Sequence, residues 1–233
     1  MSAAAAPPPV ARLVLATRNM HKVHELRAIL AAESAELAGA LVGVGELAAL
    51  GLGDPGGVVE SGVTFAENAL LKARAVAAAS GLPAVADDSG LCVAVLGGSP
   101  GVFSARWAGA HGDDAANLAL LLAQLRDVPD GHRQAWFECA AAVVTPTGEE
   151  HVTQGRLTGT LLHQGRGTGG FGYDPVLLPD GEDRSCAELS PGEKNAISHR
   201  GIAFRALAPR LAAGLQRAGD GSASVARGQL ALQ

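Results

Sequence analysis

The chain has 233 residues, 48% hydrophobic, 18% charged and only 3% aromatic, with a formal net charge of -5. That length can bury a full α/β core, and the acidic balance, with only 18 Lys and Arg, argues against duplex nucleic acid as a partner. No uninterrupted apolar run reaches the roughly 18 residues of a membrane span, so no membrane association is expected. Cys92, Cys139 and Cys186 are far apart with no Cys-x-x-Cys pair. They suit a reducing, cytoplasmic compartment and argue against a disulfide scaffold or a cysteine-rich zinc site.

Residues 1–9 are alanine and proline without a basic n-region and read as a disordered leader. A short strand, Ala11 to Ala16, runs at once into Thr17-Arg18-Asn19-Met20-His21-Lys22 and a helix. Val23, Leu26, Ile29 and Leu30 recur at helical spacing over about 20–32, with Thr17 or Asn19 near the cap. Backbone N–H groups at such a junction can donate to phosphate oxygens. Lys22 in the first turn opposes the helix dipole, so it either points to water or faces an anion. His21 and His24, with Glu25, lack a third ligand at any recognised metal spacing and read as surface residues.

Leu41 to Val44 is a possible strand, followed by a glycine- and proline-rich loop from Gly51 to Gly57. Thr64 and Glu67 form a capping box that opens a helix from Phe65 to about Ala79, ending at Ser80-Gly81. Asn68 and Lys72 share a face of it. Lys72 interrupts a run of Ala, Leu and Val, so it either snorkels or is aimed into a cleft. Glu60, just before the cap, is a free carboxylate that could join Asp88 on a divalent cation.

Ala84-Val85-Ala86 reads as an apolar strand that stops at Asp87-Asp88-Ser89-Gly90. Two readings fit: a plain turn, and acid groups delivered to the end of a buried sheet as a cation or phosphate site. A short apolar segment, Leu91 to Leu96, and a tight loop follow, and then Phe103 to Trp107 brings Arg106 beside two aromatics. Asp113 or Asp114 caps a helix with Leu118, Leu121, Leu122 and Leu125 on one face.

Trp136 to Val144 and Glu150 to Leu161 form a hairpin around Thr145-Pro146-Thr147-Gly148, which continues or flanks the main sheet and offers a dimer surface. The stretch from Gly165 to Pro175 lacks the Gly-Lys-Ser/Thr ending of a P-loop and does not match the dinucleotide fingerprint. Its Phe171, Tyr173 and Asp174 could stack a flat ring and pair with its polar edge, or Phe171 could plug the core. Ser198 is a possible cap for a helix carrying Ile202, Phe204, Leu207 and Leu211, which puts His199 and Arg200 in the first turn. Lys22, Lys72, Lys194, His199 and Arg200 are thus candidate contacts for an anionic ligand. The domain is expected over 10–213, with 214–233 a frayed tail of Gly, Ala, Ser and Gln.

Six motifs in order resemble the inosine/xanthosine triphosphate pyrophosphatase family, enzymes that remove non-canonical purine nucleoside triphosphates. They are Thr17-x-Asn19-x-x-Lys22; Glu60 with Phe65-x-Glu67-Asn68-Ala69-x-x-Lys72-Ala73; Ala86-Asp87-Asp88-Ser89-Gly90-Leu91; Pro100-Gly101-x-x-Ser104-Ala105-Arg106; Gly169-Gly170-Phe171-Gly172-Tyr173-Asp174-Pro175; and Ser198-His199-Arg200-Gly201. The resemblance implies a two-lobed α/β fold with a long central mixed β-sheet flanked by helices, a cleft between the lobes, a homodimer and a Mg²⁺ requirement. It implies that Thr17, Asn19 and Lys22 hold phosphates, that Glu60 and Asp88 hold the metal, and that Lys72 faces the reacting centre. Phe171 would stack on the purine, with Asp174, Lys194, His199 and Arg200 completing the pocket. Asn68, Ser89, Arg106, Gly172 and Tyr173 join the substrate-binding set, and Asp88 or Asp87 would activate water.

The implied reaction converts ITP, dITP, XTP or dXTP to the monophosphate and pyrophosphate. The alternatives are a pyrophosphatase for another modified nucleotide and a non-hydrolytic nucleotide-binding module. Arg18 and His21 stand where relatives often have small residues, commonly glycine.

Overall fold

The computed structural model describes residues 13–230, with side chains as far as Leu215. The expected leader lies outside the described residues. Six strands form one mixed sheet in the order β2-β1-β3-β4-β5-β6. In chain order these are β1 (Leu13–Leu15), β2 (Leu41–Gly43), β3 (Ala84–Val93), β4 (Gln134–Val144), β5 (Glu150–Leu161) and β6 (Leu177–Pro179). Between and after them run α1 (Met20–Glu33), α2 (Ala35–Ala40), α3 (Phe65–Ser80), α4 (Asp114–Gln124), α5 (Pro191–Ile197) and α6 (His199–Leu230). The helix α6 continues past the boundary drawn at 213 from composition. None of the helices among the described residues is long and apolar enough to cross a membrane.

The local signals explain most boundaries. Asn19 caps α1, its side chain accepting from the His21 and Lys22 N–H groups. Thr64 and Glu67 make the reciprocal capping box of α3, which closes on Gly81 in the left-handed region at φ 68°. The hairpin is the long antiparallel pair β4–β5, and it lies in the main sheet rather than beside it.

One expectation is corrected. Ala84 to Gly90 is not a strand that stops at an Asp-Asp turn, and Leu91 does not begin a second segment. The strand β3 runs unbroken from Ala84 to Val93, paired antiparallel with β4 along its whole length. What stops is its other neighbour: β1 pairs with β3 only as far as Val85. Asp87 and Asp88 therefore lie just beyond the end of β1, where β3 keeps one partner and its other edge faces a cleft.

Side chains alternate across the sheet. Val85, Cys139, Ala141 and Val143 pack on one face against α1, α2 and α6. Ala84, Ala86, Ala140 and Ala142 pack on the other against α3. Beyond the cleft, the far halves of β3 and β4 carry Leu91, Val93 and Phe137 into a second core with Leu121 and Leu125 near α4 and with Tyr173 and Leu177. The small-residue composition has a visible use at Gly155 of β5, where an added Cβ would overlap the His199 carbonyl oxygen and lie 2.7 Å from Ala203 N. Only glycine lets the start of α6 sit this close to the sheet.

Candidate active site

A cleft of about 600 Å³ opens at the end of β1 and is lined from both faces of the sheet. The alternation of β3 sends Asp88 toward α3 and Asp87 toward α1 and α6, so the adjacent acids serve different clusters.

On the α3 side, Lys72 Nζ lies 2.7 Å from Glu60 Oε1 and 3.6 Å from Asp88 Oδ1. Asn68, buried beneath them, donates from Nδ2 to Asp88 Oδ2 at 3.0 Å and accepts the Gly62 N–H at 2.8 Å. It ties the loop carrying Glu60 to β3. Burial pushes the Asp88 carboxyl up from its ordinary value, and Lys72 and Lys22 offset this only in part. Burial alone would lower the Lys72 ammonium, but Asp88, Asp87 and Glu60 outweigh it and hold its pKa above the ordinary value. Burial also opposes ionisation of Glu60, yet Lys72 keeps that carboxyl below its usual value.

On the opposite face, the Asp87 side chain is 0% exposed and does not line the cleft. Its Oδ2 accepts from Lys22 Nζ and from Arg200 Nε, both at 3.0 Å. Burial penalises this carboxylate, but Lys22, Arg200 and Lys72 overcome the penalty and hold it far below the usual range. Arg200 also donates to Glu25 Oε2 and Ser89 Oγ, each at 2.6 Å. His199, next to it, is buried, stacks on Phe137 at 4.9 Å and is pushed well below its ordinary pKa by burial and the nearby Arg200 and Lys194 charges.

The third wall is the loop from Gly165 to Pro175. Gly170 has φ 70°, which turns the chain so that Asp174 Oδ2 accepts the Phe171 N–H at 2.8 Å. Lys194 Nζ bonds the same oxygen at 2.7 Å and lies 3.6 Å from Glu25 Oε1. Burial raises the Asp174 carboxyl in spite of Lys194. Lys194 Nζ and Arg200 Cζ lie 5.1 and 5.4 Å from the Phe171 ring centroid.

Most sequence-predicted residues meet here: Thr17, Asn19, Lys22, Glu60, Lys72, Asp88, Ser89, the stretch from Phe171 to Asp174, Lys194, His199 and Arg200 all line the cleft. Four need correction. Asp87 is sealed between Lys22 and Arg200 and does not line the cleft, and Asn68 holds Asp88 rather than opening to the cleft. Arg106 does not line it; its guanidinium lies over Phe103, 5.5 Å from the ring centroid. His21 is not a plain surface residue, because its imidazole stacks on Phe171 within the cleft.

Two further expectations change in detail. The His21 and Lys22 N–H groups are already bonded to Asn19, and the Tyr173 hydroxyl is spent on the Ser104 carbonyl at 2.9 Å. Glu25, read from the sequence as a surface residue beside His21 and His24, is instead nearly buried between Arg200 and Lys194; it sits one turn from Lys22 on the face that also buries Ile29, a spacing that could have placed it. Sequence reasoning missed His111 and Asp114, which line the cleft; Asp114 Oδ2 accepts the Gly172 N–H at 2.9 Å.

The comparisons with known proteins decide the lineage. The profile of the Ham1 family matches residues 13–210. The chain belongs to the Ham1 family. A Ham1 relative from Streptomyces avermitilis, named dITP/XTP pyrophosphatase, is 65% identical over 198 residues, 85% of this chain and 96% of the relative. The crystal structure of a dITP/XTP pyrophosphatase from Mycobacterium abscessus is similar at 49% identity and TM-score 0.67, covering 84% of this chain and 98% of that one. A Ham1 protein structure from Coxiella burnetii is similar at 38% identity and TM-score 0.75, with 86% and 98% covered. The α/β fold with its mixed six-stranded sheet is thus a Ham1 fold.

Proposed function

We propose that this Ham1 protein hydrolyses ITP, dITP, XTP and dXTP at the α-phosphorus, releasing the nucleoside monophosphate and pyrophosphate. The observation that carries the reading is the placement, in one cleft, of the Glu60–Lys72–Asp88 cluster beside Phe171 with Lys194 and Asp174.

A divalent cation fits the donor set. Glu60 and Asp88 are hard oxygen donors that already converge on one positive charge, the Lys72 ammonium. No group of three metal-ligating side chains occurs among the described residues. Two carboxylates completed by substrate phosphates is a Mg²⁺ arrangement. Such an ion would supply neutralisation of phosphate charge and polarisation of water.

The chain's own residues account for the rest. Lys22, at the α1 junction with Thr17, offers a cation to the phosphates while Asp87 fixes its position. Lys72 stays protonated and stabilises charge that develops on the phosphorus oxygens. Asp88, at the cleft end of β3 with Asn68 holding one of its oxygens in place, is the carboxylate positioned to orient the attacking water and take its proton. Phe171 stacks the purine, and the Lys194 ammonium donates to a 6-oxo group, which an adenine amino group cannot replace as acceptor; guanine shares that oxo group, so its exclusion falls on its 2-amino group.

The reading carries two further expectations: a homodimer, and a reducing cytoplasmic compartment, which suits three free and buried cysteines. It is tested by product analysis with Mg²⁺, comparing ITP and XTP with ATP and GTP. Monophosphate and pyrophosphate from ITP and XTP, with ATP and GTP nearly untouched, is the expected result.

A further inference from the structure

His21 and Phe171 reach toward each other from opposite walls of the cleft. Their ring centroids are 5.9 Å apart and their planes are inclined by 26°. His21 belongs to the first turn of α1, where its backbone N–H is bonded to Asn19 Oδ1 at 3.0 Å. The imidazole itself is exposed and makes no hydrogen bond to any described residue, so no polar contact fixes its side-chain torsions. Phe171 is held instead, through its N–H to Asp174. One wall of the pair is thus fixed and the other adjustable.

A flat base between two flat rings needs a stacking distance of roughly 3.5 Å on each side, about 7 Å in all. The observed separation is short of this by about an ångström, which a modest torsional change in an unbonded side chain supplies. The polar groups that would read the base edge lie at the same ring, since Lys194 and Arg200 both lie over Phe171. We propose that His21 is a second base-stacking residue, and that the purine inserts between its imidazole and the Phe171 ring. The inference rests on Phe171 being the base platform of the proposed function. Stacking of this kind tolerates any base, so His21 contributes affinity and positioning, while discrimination stays with Lys194 and its neighbours.

Steady-state ITP hydrolysis tests this in the wild type, His21→Ala, His21→Phe and Phe171→Ala, with inorganic tripolyphosphate as a competing ligand that has no base. Loss of one base–aromatic stack in His21→Ala raises KM about tenfold with kcat little changed, because the contact is made equally in ground and transition states. His21→Phe restores KM, and the inhibition constant of tripolyphosphate stays at the wild-type value. An unchanged or lowered KM in His21→Ala, or a parallel weakening of tripolyphosphate, overturns the inference. The platform reading fails separately: Phe171→Ala with a normal KM would remove it, whereas a raised KM there beside a normal His21→Ala would remove only the role of His21.

Discussion

Asp87 and Asp88 are consecutive in β3, yet their carboxyls are driven in opposite directions, Asp88 up by burial and Asp87 down by the cations around it. The division follows from the pleat. One residue faces α3 with a single close ammonium, and the other faces α1 and α6 with a lysine and an arginine both at 3.0 Å. The strand thereby offers one acid to the cleft and uses the other as a fixed anion behind it.

Replacing Asp88 by Asn keeps the shape and the Asn68 contact but removes the carboxylate proposed to take the proton and to help hold the cation. Turnover of ITP should fall by about a thousandfold or more, within the range of general-base losses. Pyrophosphate release and thermal unfolding measured together check this. Near-normal turnover would remove Asp88 from the chemistry.

Asp87→Asn should act chiefly on stability. It leaves Lys22 and Arg200 without their shared anion, and breaking a buried pair costs about 3–5 kcal/mol. Glu25 and Ser89 still bind Arg200, which puts the expected loss toward the lower end. Urea unfolding measures it directly, and a loss under about 0.5 kcal/mol, the scale of a plain surface change, would contradict the assignment.

His199 gives a pH dependence with a definite sign. Its folded-state pKa lies well below the ordinary 6.5, so the unfolded chain takes up a proton that the folded chain refuses. Its stabilising contribution is complete above 6.5 and is lost as pH falls below that value. Relative to His199→Gln, the wild type should lose stability as pH falls below 6.5, with a slope that approaches but does not exceed about 1.4 kcal/mol per pH unit. Parallel stability curves for the two proteins would show that the imidazole titrates normally.

Gly155→Ala places a Cβ against the backbone of α6, which cannot rotate away. The start of that helix must shift, taking His199 and Arg200 with it, at a cost of about 1–3 kcal/mol typical of overpacking. A raised KM for ITP should accompany the lower unfolding midpoint.

Much of this was legible locally. The capping residues Asn19 and Thr64, the apolar spacing of α1 and the long β4–β5 hairpin all depend on near neighbours in the chain. The Asp-Asp pair misled because two acids and a glycine locally favour a turn. The strand continues through them because β4 pairs along its full length and because Lys22, Lys72 and Arg200, supplied by three distant helices, compensate the charge. For the same reason the stack of His21 on Phe171 and the burial of Asn68 under Asp88 had no local signal. Arg106 was motif-matched, but the structure turns it toward Phe103.

The central claim is that water attacks the α-phosphorus in this cleft. Hydrolysis of ITP in water labelled with heavy oxygen, with Mg²⁺ present and the products separated for mass analysis, tests it most directly. The account predicts the label in the IMP phosphate and none in pyrophosphate. Label in pyrophosphate, or release of orthophosphate with IDP, would contradict it.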